Sequence, residues 1–507
     1  MHMPSTPVRF LGSAAIAVLL SLGADPAHAA TCESLSSMKL SGATITTAQA
    51  VAAGAFTQPG GRGGANQFAD LPAFCRVAAT LTPTSDSDIK IEVWLPAAGW
   101  NGKFQAVGNG GWAGNVDVNA LAAGVRRGYA TASTDTGHQG NGGPWMQNRE
   151  KLIDYGHRAV HEMTVKAKAI INELYGNAPR FSYFNGCSAG GRQGLVAAQR
   201  YPDDFDGIVA GAPALNATGR ASFAMWIAQN VHKDEASFIP AAKFPAIHEA
   251  VLQACDAGDG VTDRLVSDPK SCKFDPAVLA CKGEDTATCL TPAQVTSTRA
   301  MYGALTNPRT KEQIFPGLAY GSELGWNTFA GQQPFGIAAQ MFQFMVFNDP
   351  NWDYKTLNFD AHMAQVSKAE SGLINAQETN LKPFFSSGGK LIQYHGWSDP
   401  QIVAASSTEY YERVLKTMGG AGNVANNYRL FMVPGMAHCG GGTGTSSFDM
   451  LTALEQWVEA SKAPESIPAS RVTNGKVDRT RPLCAYPQKA TYKGTGSVDE
   501  AANFVCK

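Results

Sequence analysis

Three features are missing from this sequence, and each absence narrows the possible functions. After the first thirty residues no run of eighteen uninterrupted apolar residues occurs, so no membrane-spanning helix is predicted there. Basic residues form no long cluster and the formal net charge is −1, which disfavours electrostatic capture of nucleic acid or an anionic membrane. No Cys-x-x-Cys pair occurs, which argues against a zinc site. We expect no nucleic-acid partner.

The first 29 residues have the pattern of a secretory signal peptide. A short segment with Arg9 precedes the apolar stretch FLGSAAIAVLLSLG, which is too short to span a bilayer. The small-x-small sequence AHA at 27–29 is typical of a cleavage site. We predict a signal peptide over residues 1–29. The mature protein is expected to be secreted or periplasmic, with no membrane association after signal cleavage.

All ten cysteines lie after the predicted cleavage site. In an oxidising compartment this even number favours five disulfides over metal thiolates. The number alone does not fix the connectivity, although short local pairs such as Cys281 with Cys289 are sterically possible. The sequence therefore predicts a disulfide-bonded exported protein.

Predicted strands and helices alternate in two separate parts of the chain. In the first part, for example, a segment with helical apolar spacing ends at Gly176. Such alternation predicts an α/β fold with a mostly parallel sheet flanked by helices. The alternation stops over residues 217–375, which contain four of the ten cysteines. We predict a core formed by 30–216 and 376–507, with 217–375 inserted as a large lid domain.

The segment NGCSAGGRQG, residues 185–194, contains Gly-x-Ser-x-Gly with Ser188 at its centre. This pattern is typical of a nucleophile elbow. A serine hydroxyl needs a neighbouring base, and the base needs an orienting carboxylate. Asp399 in YHGWSDP and His438 in VPGMAHCG each follow a late predicted strand, in the order found in α/β hydrolases. We predict Ser188, Asp399 and His438 as a catalytic triad.

Acyl transfer also needs backbone N–H groups that bind the oxyanion. One is expected from Ala189, directly after the serine, and the other from the turn 108–111. Gly110 and Gly111 remain alternatives as the second donor. The non-catalytic alternatives are a structural serine in a turn, a histidine in a surface loop, an Asp-Pro turn and a merely flexible glycine turn.

Two cysteines flank the predicted catalytic residues. Cys187 directly precedes Ser188, and Cys439 directly follows His438. A bond between these cysteines would hold nucleophile and base together across a loop of roughly 250 residues, which corresponds to about 5 kcal/mol in the chain-entropy model. Pairing of either cysteine elsewhere is the alternative.

With Cys-Ser, a distant Asp and His-Cys, the chain resembles the tannase and feruloyl esterase family, which includes mono(2-hydroxyethyl) terephthalate hydrolases. The resemblance covers essentially the whole mature chain, and GCSAGGRQG, HGWSDP and GMAHC are its most specific parts. It implies an α/β-hydrolase core and a disulfide that bridges the catalytic serine and histidine. It also implies the complete pairing Cys32–Cys75, Cys187–Cys439, Cys255–Cys272, Cys281–Cys289 and Cys484–Cys506.

The segment CDAGDGVTDRLVSDPKSC concentrates carboxylates that suit a hard cation. Asp256, Asp259 and Asp263 lie within eight residues, and oxygen ligands of this kind bind Ca²⁺. The spacing differs from that of an EF-hand, and a solvated acidic turn is the alternative. The resemblance implies a structural calcium in the lid here, with the backbone carbonyls of Val261 and Leu265 as further ligands. No organic cofactor is expected.

The nature of the substrate is less strongly indicated. The aromatic-rich segment 325–352 is expected to line a pocket for a planar aromatic acid, although it could equally form the lid core. His395, four residues before Asp399, is a candidate substrate contact or a packing histidine. In the terephthalate monoester hydrolases of the family a lid arginine pairs with the free carboxylate, and this chain has no arginine over 310–412.

These observations predict a secreted serine carboxylic-ester hydrolase that cleaves hydroxycinnamic or hydroxybenzoic esters, in particular a feruloyl esterase. Its partner would be a small aromatic ester or a phenolic ester of a plant polysaccharide. A tannase acting on galloyl esters and a terephthalate monoester hydrolase are the alternatives within the family. A non-catalytic hydrolase-fold binding protein and an acyltransferase are alternatives from other functional classes.

Overall fold

A computed structural model of the chain describes residues 1–7, 30–58, 67–112 and 114–507. The predicted signal peptide falls mainly on residues 8–29, outside this described part. Within it, no helix has both the length and the hydrophobicity needed to cross a bilayer.

The strands of the described residues are β1 (Ala43–Val51), β2 (Phe74–Leu81), β3 (Ile89–Pro96), β4 (Lys103–Val107), β5 (Ala130–Thr134), β6 (Phe181–Cys187), β7 (Gly207–Gly211), β8 (Leu305–Thr306), β9 (Gln313–Phe315), β10 (Lys390–Gly396), β11 (Tyr428–Val433), β12 (Ser466–Thr473), β13 (Lys476–Cys484), β14 (Ala490–Tyr492) and β15 (Phe504–Cys506).

The α-helices of the same residues are α1 (Val118–Arg126), α2 (Arg149–Ile153), α3 (Ala159–Tyr175), α4 (Ala189–Arg200), α5 (Ala217–Val231), α6 (Phe244–Cys255), α7 (Pro292–Tyr302), α8 (Asn327–Ala330), α9 (Gly336–Gln340), α10 (Met363–Glu370), α11 (Lys382–Ser386), α12 (Ala405–Thr417), α13 (Ala421–Val424) and α14 (Met450–Ala460). Two π-helical turns, Asp154–Arg158 and Met341–Val346, extend α2 and α9.

Nine strands form the central sheet in the order β1-β2-β3-β5-β4-β6-β7-β10-β11. The pairs from β5 through β4, β6, β7 and β10 to β11 are parallel, whereas β1, β2, β3 and β5 pair antiparallel. Every residue of β5 and β7 is buried, as expected for strands covered on both faces.

Helices cover both faces of this sheet. Tyr183 and Phe184 are consecutive in β6, so their side chains point to opposite faces. Tyr183 packs in one apolar cluster with Trp457 of α14, and Phe184 packs in another with Ile170 of α3 and Leu195 of α4. This arrangement confirms the predicted α/β class with a mostly parallel sheet.

The helix predicted to end at Gly176 has that boundary. Gly176 adopts the left-handed conformation with φ of 71°, and its N–H donates to the carbonyl of Asn172 at 2.9 Å. A glycine in this conformation closes a helix without the strain that a side chain would introduce.

Between β7 and β10 the chain forms α5 to α11 and the short hairpin of β8 and β9. The first of these helices begins at Ala217, where the predicted lid begins. The interior of the segment 217–375, called the lid below, is apolar: Phe223, Trp326, Phe329 and Phe342 are fully buried in one cluster. The aromatic segment expected to line a substrate pocket therefore contributes largely to the core of the lid.

Five disulfides cross-link the chain, and no cysteine is free. Four of them join cysteines between 8 and 43 residues apart, whereas the fifth spans 252 residues. The pairs are those that the family resemblance implies: Cys32–Cys75, Cys187–Cys439, Cys255–Cys272, Cys281–Cys289 and Cys484–Cys506.

Candidate active site

Ser188 occupies the sharp turn between β6 and α4. Its backbone has φ of 65° and ψ of −120°, a conformation that costs energy for any residue with a Cβ. The turn is packed closely: a Cβ on Gly108 would lie 2.5 Å from the Cα of Gly190. The Gly-x-Ser-x-Gly pattern thus folds as a strained elbow that presents the hydroxyl at the start of a helix.

Backbone N–H groups suited to an oxyanion surround the elbow. Ala189 is the first residue of α4, where N–H groups have no acceptor within the helix. In the loop after β4, the N–H of Asn109 already donates to Gln193 Oε1 at 3.0 Å, whereas Gly110 and Gly111 follow it at the edge of the cavity. Both glycines remain predicted donors.

Hydrogen bonds to other elements also hold this loop in place. Tyr155 Oη donates to the carbonyl oxygen of Gly111 at 2.7 Å, and Trp112 Nε1 donates to the carbonyl oxygen of Ile337 in the lid at 3.0 Å. The loop is therefore fixed to both the core and the lid.

Asp399 follows the end of β10, His438 follows the end of β11, and their side chains are in contact. His438 Nδ1 lies 2.7 Å from Asp399 Oδ2, while Asp399 Oδ1 accepts the N–H groups of Gln401 and Ile402 at 2.8 and 2.9 Å. Burial alone would raise the pKa of Asp399, but hydrogen bonds from His395 and His438 outweigh it and hold the pKa far below its usual value. An ionised carboxylate only accepts, so His438 Nδ1 carries the proton and Nε2 is left as a base.

The Cys187–Cys439 disulfide joins the elbow to the loop of His438, with 6.0 Å between the two Cα atoms. Positive φ values occur at both ends of this bridge: 60° at Cys439 itself, and 65° at Ser188, which follows Cys187. The bond fixes the two turns relative to each other.

A cavity of about 410 Å³, here called the Ser188 cavity, brings the predicted residues together. Its lining contains the predicted nucleophile, base and oxyanion donors, with two arginines and few other charges. The lining residues are Gly108, Asn109, Gly110, Gly111, Trp112, Asp117, Tyr155, Cys187, Ser188, Ala189, Arg192, Ala214, Ala217, Arg220, Ile337, Ile374, Gln401, His438 and Cys439.

The position of His395 corrects the prediction that it contacts the substrate. Its side chain is fully buried and does not line the cavity. The ring lies behind Asp399, with Nε2 3.2 Å from Asp399 Oδ2 and 3.0 Å from the carbonyl oxygen of Ile402, and Nδ1 2.7 Å from Ser407 Oγ. His395 thus supports the carboxylate that supports His438.

Sequence reasoning also misassigned the pocket wall. Of the aromatic segment 325–352, only Ile337 lines the Ser188 cavity. The other lining residues from the predicted lid segment 217–375 are Ala217 and Arg220 of α5 and Ile374. Arg220 was not singled out, although a lone charged residue in the otherwise uncharged helix ATGRASFAMWIAQNV is a signal that could have identified it.

The predicted calcium residues lie in one buried turn at the end of α6. Asp256 accepts hydrogen bonds from the N–H groups of Asp263 and Leu265 at 3.1 and 3.2 Å, and Asp259 accepts from Val261 N–H at 3.1 Å. All five residues are between 4% and 8% exposed. A solvated acidic turn would be far more exposed than this.

Asp263 provides the test of whether this turn fits a cation. One carboxylate oxygen, Oδ2, contacts Arg481 and lies 3.6 Å from Arg479, whereas Oδ1 is buried with no hydrogen-bond partner in the described part of the chain. A buried anionic oxygen without a donor is costly unless a cation neutralises it. The donor set therefore fits Ca²⁺. Elsewhere in the described chain, Cys281, Asp285 and Cys289 also come together, but the two sulfurs are bonded to each other.

Known proteins resemble this chain over most of its length. The family model for tannase and feruloyl esterase matches residues 75–507. An uncharacterized esterase of Xanthomonas campestris pv. campestris is 38% identical over 97% of this chain and 93% of its own length. A probable feruloyl esterase B-1 of Aspergillus oryzae is 34% identical over 86% of this chain and 84% of its own. The crystal structure of feruloyl esterase B from Aspergillus oryzae has a TM-score of 0.89 and 32% identity, covering 94% of this chain and 99% of that chain.

The sheet and these relatives together define the class of protein, an esterase of the α/β-hydrolase type that hydrolyses carboxylic esters. The chain belongs to the tannase and feruloyl esterase family. The resemblance inferred from the Cys-Ser and His-Cys motifs is thereby confirmed.

Proposed function

We propose that this protein is a secreted serine esterase that hydrolyses esters of hydroxycinnamic or hydroxybenzoic acids, in particular feruloyl esters. The observation that carries the proposal is the 2.7 Å contact between His438 Nδ1 and Asp399 Oδ2. The Cys187–Cys439 disulfide joins the loop of His438 to the turn of Ser188, and both residues line one cavity. The apolar leader sequence and the five disulfides support export to an oxidising compartment.

The proposed reaction passes through an acyl-enzyme. Ser188 Oγ attacks the ester carbonyl carbon while His438 Nε2 takes its proton, and the N–H groups of Ala189 and of Gly110 or Gly111 bind the oxyanion. The tetrahedral intermediate expels the alcohol, which receives the proton from His438. A water molecule then attacks the acyl group with the same base, releasing the acid and restoring the serine. Asp399 keeps the imidazole in the required tautomer throughout.

The aromatic acyl group is the part of the proposal that needs a substrate test. A volume of about 410 Å³ lies in the range of small-molecule pockets, and relatives are named feruloyl esterases. We expect a higher kcat/KM for methyl ferulate than for methyl acetate, measured by release of the acid. Equal values would contradict aromatic specificity. Methyl gallate and a terephthalate monoester in the same assay discriminate the alternatives, and added alcohol acceptors reveal acyl transfer.

Loss of the disulfide beside the serine is expected to affect catalysis as well as stability. In the variant Cys187→Ser/Cys439→Ser, kcat should fall about 10²-fold, the cost of a displacement of about 1 Å between reacting groups. The free energy of unfolding should fall by up to about 5 kcal/mol. Steady-state kinetics well below the melting temperature and denaturant unfolding measure the two effects.

The matched control is Cys484→Ser/Cys506→Ser, which removes a bridge that is not adjacent to a predicted catalytic residue. This control should lose stability and keep its kcat. If both double variants keep kcat, the disulfide has no positioning role.

We also propose that a structural Ca²⁺ is held by the carboxylates of Asp256, Asp259 and Asp263 and by the carbonyls of Val261 and Leu265. The ion would neutralise buried carboxylates and hold the turn closed. Chelation should lower the melting temperature, because a ligand at a hundred times its Kd contributes about 2.7 kcal/mol. Calorimetry with EDTA, and then with excess Ca²⁺, measures the loss and its recovery.

The control for calcium is Asp259→Asn, chosen because the Asp259 carboxylate accepts hydrogen bonds from Val261 N–H and Ser267 Oγ and forms no ion pair with an arginine among the described residues. Its melting temperature should respond less to EDTA than that of the wild type. A wild-type melting temperature that EDTA leaves unchanged would contradict the calcium site.

A further inference from the structure

Arg220 is a buried cation in the wall of the Ser188 cavity. It lies in the first turn of α5, and only 6% of the residue is exposed. Its Nε atom is buried with no hydrogen-bond partner, and its guanidinium group forms no ion pair or hydrogen bond with the described residues. A guanidinium has five N–H donors, and a buried donor such as Nε that stays unsatisfied is unfavourable.

A second arginine in the same cavity shows how this fold satisfies a structural guanidinium. Arg192 is 1% exposed, and it donates to the carbonyl oxygens of Tyr155, Gly156 and Ile374 at 2.8 to 3.1 Å. Arg220 has no such set of acceptors among the described residues. The contrast indicates that the guanidinium group of Arg220 is available to bind a hydrogen-bond acceptor from outside the described chain.

The surroundings of Arg220 favour an anion at this place. Burial lowers its pKa to about 10, so the group stays charged at neutral pH. Its guanidinium carbon lies 5.5 Å from the centre of the Phe335 ring, which restricts the side chain without consuming its donors. The first turn of α5 adds the positive end of the helix dipole.

The carboxylates near this cavity are already engaged. Asp399 accepts from His438, His395 and two backbone N–H groups, and Asp117 accepts the N–H groups of Asn119 and Ala120 as the N-cap of α1. Neither forms an ion pair with Arg220 among the described residues. The described carboxylates thus leave Arg220 available to an anionic ligand of the cavity.

We infer that Arg220 is a specificity-determining residue that binds a free carboxylate on the ester substrate. The inference rests on the proposed esterase function and deepens it, since it selects esters with a second, ionised acid group. A planar guanidinium and a carboxylate form two parallel hydrogen bonds, and burial strengthens this pair. The carboxylate can belong to the acyl group, as in a monoester of a dicarboxylic acid, or to the alcohol, as in an ester of a hydroxy acid.

Two matched substrate pairs test the inference and distinguish these sources. On the acyl side, methyl 4-carboxybenzoate is compared with methyl 4-carbamoylbenzoate. On the alcohol side, feruloyl glycolate is compared with feruloyl glycolamide. In each pair an uncharged amide replaces the carboxylate at nearly constant shape. The readout is the ratio of kcat/KM for the acid to kcat/KM for the amide.

In the wild type this ratio should exceed one for at least one pair, and Arg220→Met should lower it about 10²-fold, as expected for truncation of one partner of a buried charge pair. Arg220→Lys, which keeps the charge but not the planar fork, should recover part of the loss. Arg299→Met, a lid arginine that is exposed and paired with Asp275, should leave the ratio unchanged. Melting temperatures establish that each variant is folded.

The outcomes separate the inference from the function on which it rests. If the wild type hydrolyses the amide-bearing esters and Arg220→Met leaves both ratios unchanged, the inference is wrong and the esterase function stands. If the wild type cleaves none of the four esters and no methyl ferulate, the proposed function itself fails. The pair whose ratio responds identifies the side of the ester that carries the carboxylate.

Discussion

Replacement of Ser188 by alanine is expected to lower kcat by about 10⁶-fold, the loss typical of removing the nucleophile of a catalytic triad. Alanine keeps the Cβ, so the strained φ of 65° is neither relieved nor worsened and the fold should be retained. Release of p-nitrophenol from p-nitrophenyl acetate, with enzyme in excess of substrate, measures the residual rate.

The control for this variant is Ser36→Ala, an exposed serine outside the cavity lining, which should keep full activity. A Ser188→Ala protein with more than about 1% of wild-type activity would identify a different nucleophile. It would also restore the binding-protein alternative for this cavity.

Replacement of Asp399 by asparagine should lower kcat about 10⁴-fold. Asp399 Oδ2 accepts from two imidazole N–H groups, at 2.7 Å from His438 and 3.2 Å from His395, while Oδ1 accepts two backbone N–H groups. An amide has only one acceptor oxygen. In either orientation its NH₂ group therefore faces donors, and when it faces His438 the proton of that ring shifts to Nε2, where the base is needed.

Asp117→Asn is the matched control, because Asp117 is another carboxylate in the cavity wall and asparagine caps a helix about as well as aspartate. Its kcat should change far less than that of Asp399→Asn. Rates measured across the pH range for both variants give the comparison. A loss below about tenfold in Asp399→Asn would rule out its role in orienting the base.

The sequence indicates most clearly the location of residues that follow apolar strands. Ser188 comes directly after β6, while Asp399 and His438 lie in the loops that follow β10 and β11, and parallel strands bring their carboxyl ends to one edge of the sheet. Chain order and strand ends were therefore enough to bring them together. The cysteines beside Ser188 and His438 gave an independent second signal.

Burial of polar side chains could not be predicted in this way. His395 and Gln393 lie on the same face of β10 and are fully buried, because Ser407 of α12 contacts both. Nothing in the local pattern of β10 indicates that partner, which comes from another element. Polar residues at alternate positions of a strand are equally typical of an exposed face, and only the tertiary structure determines whether that face is buried.

The lid was the least predictable part for a related reason. Trp326, Phe329 and Phe342 form its interior, while the single charged residue of α5, Arg220, lines the cavity. Aromatic content indicates that a segment is buried but not which surface it is buried against. The cavity wall depends on how α5 is placed over Ser188, and local sequence does not encode that placement.

The order of the cysteines along the chain has a consequence for biogenesis. Cys187 leaves the ribosome long before Cys439, and the next thiol to emerge after it is Cys255, whose own partner is Cys272. The bridges Cys32–Cys75, Cys255–Cys272 and Cys281–Cys289 can all form before Cys439 is available, so the long bridge must close after them or displace an incorrect bond by thiol–disulfide exchange. We expect a chain that ends before His438 and Cys439 to be inert toward esters, because it lacks the proposed base and one half of the bridge. Recombinant production is expected to benefit from an oxidising host with disulfide isomerase activity.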